Sequence, residues 1–234
     1  MAAHWFTFAG TDSRNMHILV PDRIPVIRPE ERVEHVTIPG RSGELTQVEG
    51  DDIYNSYIQT VRISVLGREY IRPVESWLRG DGWVTFSCQP DLKQHARIIN
   101  AVTFEQHSRN LDIWHGDLQF YCDPCKRLIT EGDSLITESG TAITNPGSMA
   151  ALPLIVMHGS GRVTLRMGGN SLVIPALTDG WILDAENKWI IGSNGRPMAG
   201  VWSGEFPVLP VGESLIQWTG GITSLVITPR WRFL

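Results

Sequence analysis

The residues best suited to chemistry are the thiols and imidazoles. Cys122-Asp123-Pro124-Cys125 forms a C-x-x-C pair, and Cys88, His107 and His115 are the groups that could complete a zinc site with it. Structural zinc takes two well-spaced ligand pairs, and only one pair is present. Redox use of C-x-x-C calls for a βαβ surround, which these flanks lack. The cysteines are therefore read as structural thiols, with metal binding and redox chemistry as the alternatives. The histidines are scattered and show no H-E-x-x-H spacing, and no G-x-S-x-G elbow occurs. Gly159-Ser160-Gly161 is too short for a nucleotide fingerprint and reads as a turn between strands. Glu30-Glu31 and Asp51-Asp52 are neighbours in sequence, so in extended chain their carboxylates point to opposite sides and pair poorly. Arg79-Gly80-Asp81 spells an integrin-binding tripeptide and is assigned no function. No catalytic set converges, so no enzyme, no cofactor and no metal is expected.

Recognition chemistry is the other possibility. The chain holds nine tryptophans, five of them at Trp181, Trp189, Trp202, Trp218 and Trp231. Aromatic faces stack on sugars, and they also fill sandwich cores and interfaces. Trp181 and Trp218 sit in apolar strand patterns and are read as core. Trp189 and Trp202 flank glycine-rich loops and are the candidate glycan contacts. The formal net charge of −5 argues against a phosphate-tracking surface, which needs clustered Lys and Arg. The largest basic cluster, Pro229-Arg230-Trp231-Arg232, is read as the anchor of a terminal strand. No specific nucleic-acid binding is expected.

The elements that position these groups are strands. Val61, Ile63 and Val65 alternate with Thr60, Arg62 and Ser64, and Val163, Leu165 and Met167 alternate with Arg162, Thr164 and Arg166. Shorter strand runs are expected at 33–38, 83–87, 98–104, 111–122, 152–158, 171–174, 181–184, 214–218 and 222–228. Gly168-Gly169-Asn170 and Ser193-Asn194-Gly195 supply the positive φ of tight turns. Helical signal is confined to two places. Pro73 opens a short helix with Val74, Trp77 and Leu78 on one face, and Asp91 caps another running to about Arg97. Such spacing means a mainly β protein built of sandwiches or barrels.

The segment 124–153, with Gly132, Gly140 and the Asn145-Pro146-Gly147 turn, is the expected boundary between an N-terminal domain (1–130) and a C-terminal one (131–234). Within it, Leu128-Ile129-Thr130-Glu131 returns as Leu135-Ile136-Thr137-Glu138. One echo is too little for a coiled coil, so it reads as strand-forming connector. No run of apolar residues is long enough for a membrane span, and residues 1–8 have no signal-peptide pattern. With three cysteines and no Asn-x-Ser/Thr site, synthesis in a reducing cytoplasm is expected.

Several stretches, in order over nearly the whole chain, resemble the siphophage distal tail (Dit) family. They are Phe8-Ala9-Gly10-Thr11-Asp12-Ser13, Ile38-Pro39-Gly40-Arg41-Ser42-Gly43-Glu44-Leu45, Val74-Glu75-Ser76-Trp77-Leu78 and Leu118-Gln119-Phe120-Tyr121-Cys122-Asp123-Pro124. In the second half, Asn145-Pro146-Gly147, Ile182-Leu183-Asp184-Ala185-Glu186 and Gly204-Glu205-Phe206-Pro207 continue the series, with Ile227-Thr228-Pro229-Arg230-Trp231 near the end.

The resemblance implies an N-terminal β domain with a short helix, six copies closing into a ring around the tail channel. It also implies a C-terminal galectin-like β-sandwich. Such a ring sits at the virion's tail tip. It joins the tail tube protein to a tail-associated lysin or fibre protein and, in some tips, to a receptor-binding protein. Pro39, Gly40, Arg41 and Gly43 are the candidate subunit-interface residues. Proline ends a strand, the glycines permit close approach, and the planar arginine fork bonds a neighbour's carboxylate or carbonyls. An ordinary hairpin turn with an exposed arginine is the alternative, and the two stay open here. In function, too, alternatives remain: a carbohydrate-binding β-sandwich that adheres phage to a cell, and, weakest, a cell-wall hydrolase.

Overall fold

The computed structural model describes residues 4–48, 50, 52–198 and 200–234. The opening Met1-Ala2-Ala3 and Asp51 of the Asp51-Asp52 pair lie outside them. Two compact units divide the chain, Met1–Ile129 with Leu234, and Thr130–Phe233.

The first unit contains β1 (Phe6–Phe8), β2 (Thr11–Asp12), β3 (Ile18–Leu19), β4 (Val33–Thr37), β5 (Glu44–Val48), β6 (Tyr57–Leu66), α1 (Ile71–Trp77), β7 (Asp81–Phe86), β8 (Leu92–Ile98), β9 (Glu105–Ser108) and β10 (Leu111–Leu128). An antiparallel sheet runs β2-β1-β7-β8-β10-β6-β3, with β9 added to β10, while β4 and β5 form a separate two-stranded ribbon. Val61, Ile63 and Val65 point inward as their alternation requires, against Leu118 and Phe120 of β10. Phe120 is ringed edge-on by Phe6, Phe8 and Phe86 at 5.5–5.7 Å. Val74, Trp77 and Leu78 of α1 close this core, with Trp77 stacked on Phe6 and its indole N–H donating to the carbonyl of Phe8. The helix starts at Ile71, two residues before Pro73. Proline is tolerated there because first-turn N–H groups have no intrahelical acceptor.

Two expectations fail in this unit. The helix from Asp91 to Arg97 is instead β8. Leu92, Gln94 and Ala96 are buried at period two, and ladders to β7 and β10 on both sides outweigh a local capping signal. The strand at 98–104 stops at Ile98. Beyond it the Asn100 side chain occupies β10's hydrogen-bonding positions, donating to the carbonyl of Asp117 at 2.7 Å and accepting from the Gln119 N–H at 2.8 Å.

The second unit contains β11 (Ser134–Ile136), β12 (Thr141–Asn145), β13 (Leu154–Met167), β14 (Asn170–Leu177), β15 (Trp181–Asp184), β16 (Trp189–Ile191), β17 (Ser203–Gly204), β18 (Gly212–Thr228) and β19 (Arg232–Phe233). The long strands β13 and β18 run antiparallel and each serves two layers. One layer is β16-β15-β13-β18-β11, through the first half of β13 and the second half of β18. The other is β17-β14-β13-β18-β12, through the remaining halves. Ile155, Met157, Leu183 and Ile227 from one layer pack with Val163, Leu165, Leu172 and Ile216 from the other in a single core, which makes the unit a β-sandwich.

The fold-over point corrects two further expectations. Gly159-Ser160-Gly161 is no turn; it is a bulge inside β13. The runs 214–218 and 222–228 are one strand, β18, bent at Gly220-Gly221. Glycine is required there because a Cβ on Gly159 would stand 2.1 Å from the carbonyl oxygen of Gly221, and one on Gly221 2.0 Å from that of Ser160. The turn between β13 and β14 is Gly168-Gly169, both at positive φ as a two-residue hairpin demands.

Candidate functional site

The four interface candidates lie at the tip of the β4–β5 ribbon. Val33 to Thr37 pair in register with Val48 to Glu44, and the ladder continues at the root through Arg32 N–H to Ile53 and Asn55 N–H to Glu30. At the tip, Arg41 N–H donates to the carbonyl of Ile38, and Gly40 and Gly43 hold φ of +82° and +84°. The tip glycines face open space, so their role is the turn itself. The partner strand β5 was not legible as a strand; only its pairing with β4 reveals it.

The ribbon pairs with no other strand among the described residues. Val36 and Leu45 face each other across the ladder with Ile38 next along that side, and all three are exposed. The guanidinium of Arg41 has no hydrogen bond or ion pair within the described chain. Isolated two-stranded ribbons are marginal in water. A ribbon carrying an apolar stripe and an unpaired cation has the composition of a surface that another chain completes.

The thiol and imidazole candidates separate in the structure. Cys122 is in the core, and burial pushes its thiol up to about 12, leaving it protonated and inert. Cys122-Asp123-Pro124-Cys125 forms a bulge in β10: between Cys122, opposite Ala96, and Lys126, opposite Gln94, three residues face His95 alone. Pro124, which has no N–H to donate, fits such an interruption. His107 and His115 contact each other on the face of β10 opposite to Cys122. No group of three His, Cys, Asp or Glu side chains among the described residues stands in metal-binding geometry.

Trp181 is buried in the second unit's core; Trp218 packs on its margin and its indole N–H donates to the carbonyl of Ile222. Of the glycan candidates, Trp189 in β16 is 43% exposed, whereas Trp202 packs against the core, edge-on to Phe206 at 5.5 Å. Sequence reading missed the most strongly bonded polar group in this unit. Asp184 is buried and accepts from Arg230 (2.9 and 3.2 Å), from the N–H groups of Glu186 and Asn187, and from the Asn187 amide. Burial alone would raise its carboxyl, but the hydrogen bonds from Arg230 and Asn187 outweigh burial and hold it at about 2. Asn145, in the Asn-Pro-Gly turn, is likewise buried and fully used, donating to Met149 and Leu209 and accepting from Gly147 N–H.

The first unit with its separate ribbon, followed by a sandwich built on the two long strands β13 and β18, is a fold that has been solved before in a phage protein. The structure of SPP1 Dit (gp 19.1), described as a paradigm of the hub adsorption apparatus in phages infecting Gram-positive hosts, is similar with a TM-score of 0.75 at 18% sequence identity, over 100% of both chains. No family model and no curated protein matches the sequence.

Proposed function

We propose that the chain is a distal tail protein of a long-tailed phage, a scaffold whose function is to assemble. Six copies close into a ring at the tail tip. That ring connects the tail tube protein to the tip complex, which holds a tail-associated lysin or fibre protein and receptor-binding protein where one is present. The observation that carries this reading is the end-to-end likeness to a phage hub protein, both units included and neither chain left over. Two features of the chain support it. The ribbon β4–β5 pairs with no further strand among the described residues, and its exposed tip offers Pro39, Gly40, Arg41 and Gly43 to a neighbour. A heterologous contact of this kind, repeated head to tail, generates a closed ring when the rotation per copy divides a full turn.

The test is native mass spectrometry of the purified chain, with images of the particles. A hexamer, or a pair of stacked hexamers, with an open centre is expected; a monomer that persists both at high concentration and with the tail tube protein added would overturn the proposal. The carbohydrate-binding reading retains one observation, the exposed ring of Trp189, and a glycan array on wild-type and Trp189→Ala protein decides it.

A further inference from the structure

A second side-chain cluster lies on the first unit's sheet, on strands other than those of the β4–β5 ribbon. Register places Ser64 of β6 opposite His115 of β10, and His115 opposite Glu105 of β9, one row on the face turned away from the core. His107, two residues beyond Glu105, lies on the same side. Its Nδ1 stands 2.8 Å from Nε2 of His115, with the rings edge to face. On its other side, His115 Nδ1 is 2.8 Å from Oγ of Ser64, which is buried.

We propose that His107 and His115 form a two-histidine site for a divalent transition-metal ion of the zinc, nickel and copper class. With Nδ1–H donating to Ser64 Oγ, the lone pair of His115 sits on Nε2 and faces the Nδ1 of His107. Ser64 is thus a positioning residue, the outer partner that metal-bound imidazoles characteristically have. Two nitrogens on one tetrahedral zinc, at about 2.0–2.1 Å each, stand about 3.3 Å apart. The nitrogens therefore need to part by about 0.5 Å from their present hydrogen bond, the His107 proton to move from Nδ1 to Nε2, and the rings to turn so that both lone pairs point at the ion. Glu105 lines the same cleft as His115 without standing in ligand geometry, so the two imidazoles are the protein ligands and water takes the remaining positions. The other charges on this face, Arg62 and Asp117, pair with each other at 3.2 Å and leave the site without a net repelling cation. Imidazole donors select zinc, nickel and copper over magnesium and calcium, with copper strongest. The ion would fasten β9, an edge strand whose register with β10 is already irregular between Leu111 and Trp114.

Calorimetric titration of the full chain with Zn²⁺ and with Ni²⁺, near neutral pH and in a Cys88→Ser background to remove the exposed thiol, tests this. One equivalent is expected to bind, with binding lost in His107→Asn and in His115→Asn. Ser64→Ala should weaken it about 10- to 100-fold. Hydrogen exchange gives an independent readout, since Zn²⁺ should slow exchange across 105–111 in the parent and not in the histidine variants. Equal binding in the parent and the double histidine variant, whether zero or thiol-borne, overturns the site. So does unchanged exchange in the parent.

Discussion

Replacing Asp184 by Asn keeps the shape and removes the charge. In the native chain this carboxylate is 5% exposed, receives five hydrogen bonds and pairs with Arg230, whose side chain is itself mostly covered. Holding a carboxyl at about 2, against 3.8 when free, corresponds to about 2.5 kcal/mol of folding free energy. Because the folded value is depressed, this contribution is complete above the unfolded value of 3.8 and is lost as pH falls through about 2. Asp184→Asn should therefore cost about 2.5 kcal/mol at neutral pH, with an added penalty where the new amide N–H₂ meets the guanidinium donors. The gap to wild type should shrink by about 2 kcal/mol between neutral pH and pH 2, leaving only the amide penalty and the last few tenths. Urea unfolding of both proteins across that range, followed by tryptophan fluorescence, measures it. A gap under about 0.5 kcal/mol at neutral pH, or one that does not change with acid, would refute the argument that the pair is a net stabiliser.

Arg41→Ala should weaken oligomerisation without altering the fold, read as a shift from ring to smaller species in native mass spectra at unchanged circular dichroism. Gly221→Ala should destabilise by at least about 2 kcal/mol, since its Cβ would meet the Ser160 carbonyl at 2.0 Å where β13 and β18 bend together; equilibrium unfolding checks it. Phe120→Ala should cost about 3–5 kcal/mol in the same assay, because three phenyl rings close on that side chain. Lys126 is buried, bonds the Ile27 carbonyl at 3.5 Å, and burial lowers its ammonium below 10.5. Through this lysine the unfolded chain binds more protons in the alkaline range, so its own contribution to stability rises with pH, opposed by the loss from Cys122, whose thiol is pushed up to about 12. The stability of wild type relative to Lys126→Met should therefore rise between pH 8 and about 10.5, measured by unfolding both proteins across that range.

The legible parts of the sequence were those in which one strand face repeats without interruption. Val61, Ile63 and Val65, or Val163, Leu165 and Met167, state their burial directly, because a two-residue period has one physical meaning. What failed was decided by partners distant in sequence. Asp91 offers a sound helix cap, but Leu92, Gln94 and Ala96 are claimed by β7 and β10, whose registers no local window contains. Gly159-Ser160-Gly161 has the composition of a turn, and only the crossing of Gly220-Gly221 some sixty residues later makes it a bulge inside a continuous strand. The Ser64–His115 contact spans 51 positions and leaves no local pattern at all. The interface candidates at 39–43 differ from all of these. Their turn chemistry is local and readable, Pro then Gly, with a second Gly three residues later. Yet the feature that gives them meaning is the absence, among the described residues, of any third strand beside β4 and β5. An isolated two-stranded ribbon is marginal in water, and under the proposed ring assembly the surface that covers it is another copy of the same chain.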